Sequence, residues 1–122
     1  MPIKIIHQNI EPYITKDGSS IRELMHPEVH GNHFQSLAEA TVPVDGSTIS
    51  HKHISAEEIY YILKGSGHMT IEGEGFGVNE GDTICILPGE SHMIRNTGNI
   101  PLKILCCCSP PYSHDDTELS DC

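Results

Sequence analysis

No apolar stretch of this 122-residue chain approaches the roughly 20 residues that a bilayer-spanning helix needs. Its start, MPIKIIHQNIEP, has neither the long apolar segment nor the small-residue cleavage site of a secretory leader. A cytoplasmic protein is expected on both counts. Basic residues are also scarce: 7 Lys and Arg stand against 17 Asp and Glu, for a formal charge of −10. Such an excess repels phosphate backbones and anionic lipid headgroups, so neither nucleic acid nor a membrane surface is an expected partner. Spaced cysteine pairs are lacking too. Of five cysteines, Cys106, Cys107 and Cys108 are consecutive, a poor layout for a disulfide framework, and free thiols are expected. No internal repeat or linker marks a second domain, and the length falls in the single-domain range of roughly 100 to 150 residues.

What the chain does have is punctuation. Glycine and proline recur at short intervals, separating runs of Val, Ile, Tyr, Thr and Leu that are too short for helices and the right length for strands. Strands are predicted over residues 21–25, 35–42, 47–53, 58–63, 67–72, 75–78, 83–87, 92–96 and 102–108. Many short strands with regular turn signals must close on themselves to bury one face each, so the pattern predicts an all-β sandwich or barrel. One helix signal competes, a Ser55 to Glu58 capping box. The segment it would open, Ile59 to Leu63, is too short and too rich in β-branched and aromatic residues, so a strand is predicted there. Residues 1–34 form N-terminal strands and a loop, 35–108 a barrel core, and 109–122 an acidic tail expected to be partly disordered.

Histidine is abundant, with nine in the chain, and neutral imidazole is the commonest protein ligand for transition metals. On a strand, His51 and His53 leave the same face, with Cα atoms about 6.6 Å apart, and Lys52 points the other way. Glu58 opens the next strand after a short turn, with Tyr60 and Ile62 on its face. His92 follows the turn Pro88-Gly89-Glu90-Ser91. Three imidazole nitrogens and one carboxylate suit Fe(II), Mn(II), Ni(II), Co(II) or Zn(II) and leave positions open on a six-coordinate ion. An isolated His-x-His is also common by chance on a polar strand, and Tyr60 reads equally well as a barrel-filling aromatic or as a donor to a bound substrate. The cluster His26, His30 and His33 has helical spacing, but Pro27 and Gly31 interrupt it, so a loop or lid is predicted rather than a second metal site. Inward Cys106 and Cys108 read as small core residues.

The segment from Gly46 through His51, His53 and Glu58 to Gly65 resembles the first motif of the cupin superfamily. That motif runs Gly, five residues, His-x-His, three or four residues, Glu, six residues, Gly. Here four residues separate Gly46 from His51. The segment Gly81 to Asn96, with Pro88-Gly89 and His92, resembles the second motif, with Leu87 where proline is usual. The resemblance covers roughly residues 35–108. It implies a double-stranded β-helix, or jelly-roll, barrel with one divalent transition metal on His51, His53, Glu58 and His92. Glu58, not Glu57, leaves the six residues before Gly65. The resemblance further implies a small-molecule ligand, a homodimer, and a metal-dependent dioxygenase, decarboxylase or sugar isomerase or epimerase; no catalytic residue is fixed by it, and Tyr60, on the face of Glu58, is the candidate. A non-catalytic binding or sensor module is the alternative, since one scaffold hosts unrelated chemistries.

Overall fold

The computed structural model describes residues 2–120 and builds eleven strands among them. In chain order they are β1 (Tyr13–Ile14), β2 (Ser20–Met25), β3 (Ser36–Val42), β4 (His51–His53), β5 (Glu57–Lys64) and β6 (Gly67–Ile71). They continue as β7 (Glu74–Val78), β8 (Thr83–Ile86), β9 (His92–Asn96), β10 (Leu102–Ser109) and β11 (Thr117–Leu119). Two antiparallel sheets result, ordered β1-β2-β3-β10-β5-β8 and β11-β4-β9-β6-β7. This is the all-β jelly roll that the sequence pattern and its family resemblance imply.

Alternation explains why the sheets face each other. Along β5, Glu58, Tyr60 and Ile62 are buried while Glu57, Ile59 and Tyr61 are exposed. Along β10, Leu102, Ile104, Cys106 and Cys108 point inward, as their period-2 spacing requires. Leu102, Ile104 and Cys106 meet Met69 of β6, Val78 of β7 and Ile94 of β9 in one core shared by both sheets. Each Leu, Ile or Met so buried contributes about 1.5 to 3 kcal/mol. Gly65 turns the chain from β5 into β6. Its φ of +87° suits glycine, and a Cβ there would lie 3.2 Å from both Pro101 O and Leu102 Cα, so close backbone packing excludes a side chain as well.

Several elements differ from the sequence expectations. Within residues 47–53 only His51–His53 forms a regular strand. Thr48 breaks the ladder by using both its backbone and its side chain on Ile94: its N–H donates to Ile94 O at 2.9 Å and its Oγ1 accepts from Ile94 N at 3.0 Å. The 26–33 region is not an open loop, because Pro27–His30 forms a short helix, α1. Pro27 and Gly31 bound this helix instead of interrupting it. Proline is tolerated in the first turn, where the N–H has no partner anyway, and Gly31 supplies a left-handed C-cap with φ of 90°. His26 accepts from Glu28 N and caps the start.

The acidic tail folds back as β11 and pairs with β4, with Thr117 opposite His53 and Leu119 opposite His51. Asp116 is used locally, its two carboxylate oxygens accepting from Ser55 N at 2.9 Å and Ala56 N at 3.1 Å. Cys85, Cys106, Cys107 and Cys108 are free thiols; Asp121 and Cys122 lie outside the described residues.

Candidate metal centre

His51 and His53 share the inner face of β4 with Lys52 turned away. The β4–β9 register sets His51 directly opposite His92. The three rings gather closely, with centroids 4.2 Å apart for His51 and His92, 5.3 Å for His51 and His53, and 5.5 Å for His53 and His92. One ring nitrogen from each lies within 4.8 Å of the others, a cluster able to hold a metal ion. All three residues are buried.

Hydrogen bonds on the far side of each ring fix which nitrogen faces inward. His51 Nδ1 lies 2.8 Å from Ile49 O and His92 Nδ1 lies 3.0 Å from Glu90 O. A carbonyl only accepts, so both Nδ1 atoms carry the proton. His53 Nδ1 lies 3.0 Å from Thr117 Oγ1, whose own hydroxyl is committed to Ser113 O at 2.9 Å. Thr117 therefore accepts, and His53 carries its proton on Nδ1 as well. In the neutral state all three Nε2 atoms present lone pairs to the same space. His92 Nε2 is buried there without a hydrogen-bond partner.

The turn before β9 joins two of these residues. Pro88 and Gly89, the latter with φ of 84°, form its centre, and Glu90 N donates to Leu87 O at 3.1 Å. Gly89 N donates to His53 O at 2.7 Å, while the Glu90 carbonyl orients His92. Leu87 in place of proline leaves this turn intact, because Pro88 supplies the constrained φ at its first central position.

Glu58 reaches the histidines from the opposite sheet. Its Oε1 stands 3.1 Å from His53 Nε2 and 3.5 Å from His92 Nε2. Its Oε2 accepts from the Cys108 thiol at 3.3 Å, across the β5–β10 pairing that sets the two residues opposite each other. Burial and the Glu58 charge push the Cys108 thiol well up, so it stays protonated and donates. Burial alone would raise the Glu58 carboxyl, but the hydrogen bond with His53 and the nearness of His92 outweigh it and lower the group to about 2. For His53, burial works toward a lower value, and the Glu58 hydrogen bond and charge overturn it to a net rise. His51 is lowered by burial, reinforced by His92.

A carboxylate facing an imidazole lone pair at 3.1 Å needs positive charge between them, either a proton or a metal ion. The separations suit an ion: two donors each about 2.1 Å from one centre and at right angles lie about 3.0 Å apart. The donor set therefore fits a divalent transition metal, with an outer layer of Ile49 O, Glu90 O, Thr117 and Cys108 already in place. Outer partners of this kind typically influence affinity by 10- to 100-fold. Thr117→Val, which removes the acceptor for His53 Nδ1, is expected to weaken metal binding within that range, and Thr117→Ser to restore it, as measured by competition with a chromophoric chelator.

Tyr60 is buried, its ring centroid 6.0 Å from that of His92 and nearly perpendicular to it. Burial, with Glu58 beside it, holds its phenol well above the ordinary range, so it remains a neutral hydroxyl. Glu57 is exposed, and its carboxylate accepts from the Cys85 thiol at 3.7 Å. His26 lies away from the cluster, its Nε2 donating to Tyr112 O at 2.7 Å. Two acidic residues of the cavity carried no local sequence signal. Asp17, in the β1–β2 turn, brings Oδ2 to 3.5 Å from His51 Nε2. Glu23 of β2 accepts from the Tyr13 hydroxyl at 2.9 Å and keeps its other oxygen buried without a partner. An Asp-Gly turn is legible in the sequence, but which strand ends its carboxylate approaches depends on sheet order.

The sequence profile of the cupin domain matches residues 38–108. An uncharacterised protein of Methanocaldococcus jannaschii is 60% identical over 117 residues, covering 96% of this chain and 94% of that one. The oxalate-binding protein of Thermotoga maritima is 38% identical over 82 residues, covering 67% of this chain and 68% of its own length. The crystal structure of a predicted oxalate decarboxylase from Thermotoga maritima superposes with a TM-score of 0.76 at 31% identity, covering 90% of this chain and 99% of that one.

Proposed function

The chain belongs to the cupin family, and on that premise we propose that it is a metal-dependent enzyme acting on a small carboxylate or similar oxyanion-bearing molecule. His51, His53, Glu58 and His92 would hold one divalent transition metal ion. The observation that carries this reading is the clustering of three imidazoles, each held from behind through Nδ1, with one Glu58 oxygen 3.1 Å from His53 Nε2 and 3.5 Å from His92 Nε2. When bound, such an ion supplies Lewis-acid polarisation of a substrate oxygen.

The rest of the cavity serves to bind and to exclude. Ala38, Ala40, Val42, Ile94 and Ile104 line it with apolar side chains, which limits water beside a reacting group. Tyr60, kept neutral, is a hydrogen-bond donor for a substrate oxygen. The cavity opens to solvent and holds about 40 Å³, room for the part of a ligand of a few heavy atoms that meets the histidines. The names of the oxalate-related Thermotoga proteins support a small carboxylate, and with it the decarboxylase class. No lysine or arginine lines the cavity among the described residues, so an anionic substrate would rely on the ion for its countercharge.

A second reading, a binding module without turnover, is favoured by the relative named for binding oxalate alone. Untagged protein is expected to carry about one transition-metal ion per chain by inductively coupled plasma mass spectrometry, and to bind oxalate calorimetrically only when loaded. Release of formate and CO₂ would select the decarboxylase, whereas tight metal-dependent binding with no product would select the module. No ion after reconstitution would sink both. We extend the same premise to a homodimer: β5 exposes Ile59, Tyr61 and Leu63 on its outer face, an apolar stripe that a second copy could cover.

A further inference from the structure

Asp17 sits in the turn between β1 and β2, where two backbone bonds close the loop: Thr15 N donates to Ser19 O and Gly18 N to Thr15 O, each at 3.0 Å. The turn is also tied to the metal-binding strand. Ile49 N donates to Asp17 O at 2.7 Å, two residues before His51. Lys16 Nζ donates to Thr117 O at 2.8 Å and His114 O at 3.1 Å, next to the hydroxyl that orients His53. The loop is thus held from both sides of the centre.

The two carboxylate oxygens of Asp17 have different surroundings. Oδ1 is fully engaged, accepting from Thr15 Oγ1 at 2.6 Å, Ser19 Oγ at 2.6 Å and Ser19 N at 2.9 Å. Those bonds fix the rotation of the carboxylate. Oδ2 accepts from no protein donor among the described residues and stands 3.5 Å from His51 Nε2. Since His51 Nδ1 donates to Ile49 O, that Nε2 has a lone pair and no proton to offer in the neutral ring. Two acceptors are thereby aimed at each other across 3.5 Å, the same separation at which Glu58 Oε1 faces His92 Nε2. A cation shared between them would turn this opposition into attraction.

We propose that Asp17 is a further protein ligand of the same ion, making a set of three histidines and two carboxylates, and that an anionic substrate binding the ion through two oxygens must displace it. This inference rests on the metal site proposed above and adds a residue to it. It follows from charge as well as placement. With Glu58 alone, a divalent centre keeps one positive charge; with Asp17 it is neutral, which retains the cation more firmly and weakens its hold on an anion in a cavity without Lys or Arg.

The test uses Co²⁺ as probe on the full chain. Asp17→Asn keeps an oxygen for Thr15 and Ser19 and replaces the free carboxylate oxygen with an amide that does not ligate. It is expected to bind Co²⁺ at least tenfold more weakly than the parent in chelator competition, with an altered visible d–d spectrum reporting a changed ligand number. The metal-free melting temperature should stay within a degree or two. Asp17→Ser, a second variant without the carboxylate, should show the same loss. Oxalate should perturb the spectrum of the Co²⁺-saturated variant at lower concentration than the parent, because no carboxylate has to leave. Unchanged affinity and spectrum in both variants, or equal oxalate concentrations, would overturn the assignment of Asp17 alone. A parent protein that takes up no Co²⁺ would overturn this inference and the metal site together.

Discussion

His92→Ala is expected to empty the metal site while leaving the fold in place. Untagged parent protein should carry about one ion per chain, and the variant close to none. Loss of a direct ligand should exceed the 10- to 100-fold weakening that removal of an outer partner causes. His92 is the sharpest choice because its side chain is fully buried, its Nε2 has no hydrogen-bond partner, and its ring lies between those of His51 and Tyr60. An unsatisfied buried nitrogen costs about 1 to 3 kcal/mol, so removing it returns part of what the lost packing takes away. The metal-free variant should therefore melt close to the metal-free parent. The two measurements separate the roles: a full complement of ion in His92→Ala would refute the site, and a collapsed far-ultraviolet spectrum would show a structural histidine instead. A binding curve against pH adds a check. Because the Glu58 hydrogen bond and charge raise His53 above the ordinary imidazole value of about 6.5, and an ion needs its Nε2 free of a proton, affinity should fall as pH drops, with the fall setting in above that value.

Much of this site was legible in the sequence because it depends on local rules. Period-2 alternation alone puts His51 and His53 on one face, and the observed burial of both with Lys52 between them follows that rule. The same alternation correctly sends Tyr60 and Ile62 inward after Glu58, and Cys106 and Cys108 inward on β10. What was not legible is what non-local register decides. Thr117 orients His53 only because β11 pairs with β4, and the composition of that tail, with Pro110, Pro111 and several acids, signals a surface segment. Three pairs of register with β4 secure the tail, and of its acids Asp116 is turned to the backbone of Ser55 and Ala56 while Asp115 and Glu118 stay exposed. Asp17 presents the same limitation. Its Asp-Gly turn is a local feature, but its approach to His51 arises from a loop of one sheet crossing to a strand of the other. Helix α1 departs from the expectation for a different reason: Pro27 and Gly31 stand at its two ends and not inside it.

The second large effect is on stability, and it links the core to the ion. Ile62 of β5 is 0% exposed and lies opposite Ile104 of β10 in the shared core. Ile62→Ala should cost about 2 to 5 kcal/mol, since the removed atoms leave a cavity that close-packed strands only partly fill. For a domain of this size each kcal/mol is worth roughly 4 °C, so the metal-free melting temperature should fall by about 8 to 20 °C. An ion that binds only the native state offsets part of that loss, by about 2.7 kcal/mol when its free concentration is 100 times its dissociation constant. Loading Ile62→Ala should therefore recover roughly 10 °C, and the double variant Ile62→Ala/His92→Ala should recover nothing. Equal recovery in both would place the stabilising ion elsewhere on the protein. The comparison has force because Ile62 and Glu58 lie on the same face of one strand, four residues apart in chain, with Tyr60 between them. A cavity beneath Ile62 that loosens β5 would also loosen Glu58, so the variant should bind the ion more weakly than the parent even though no ligand has been touched.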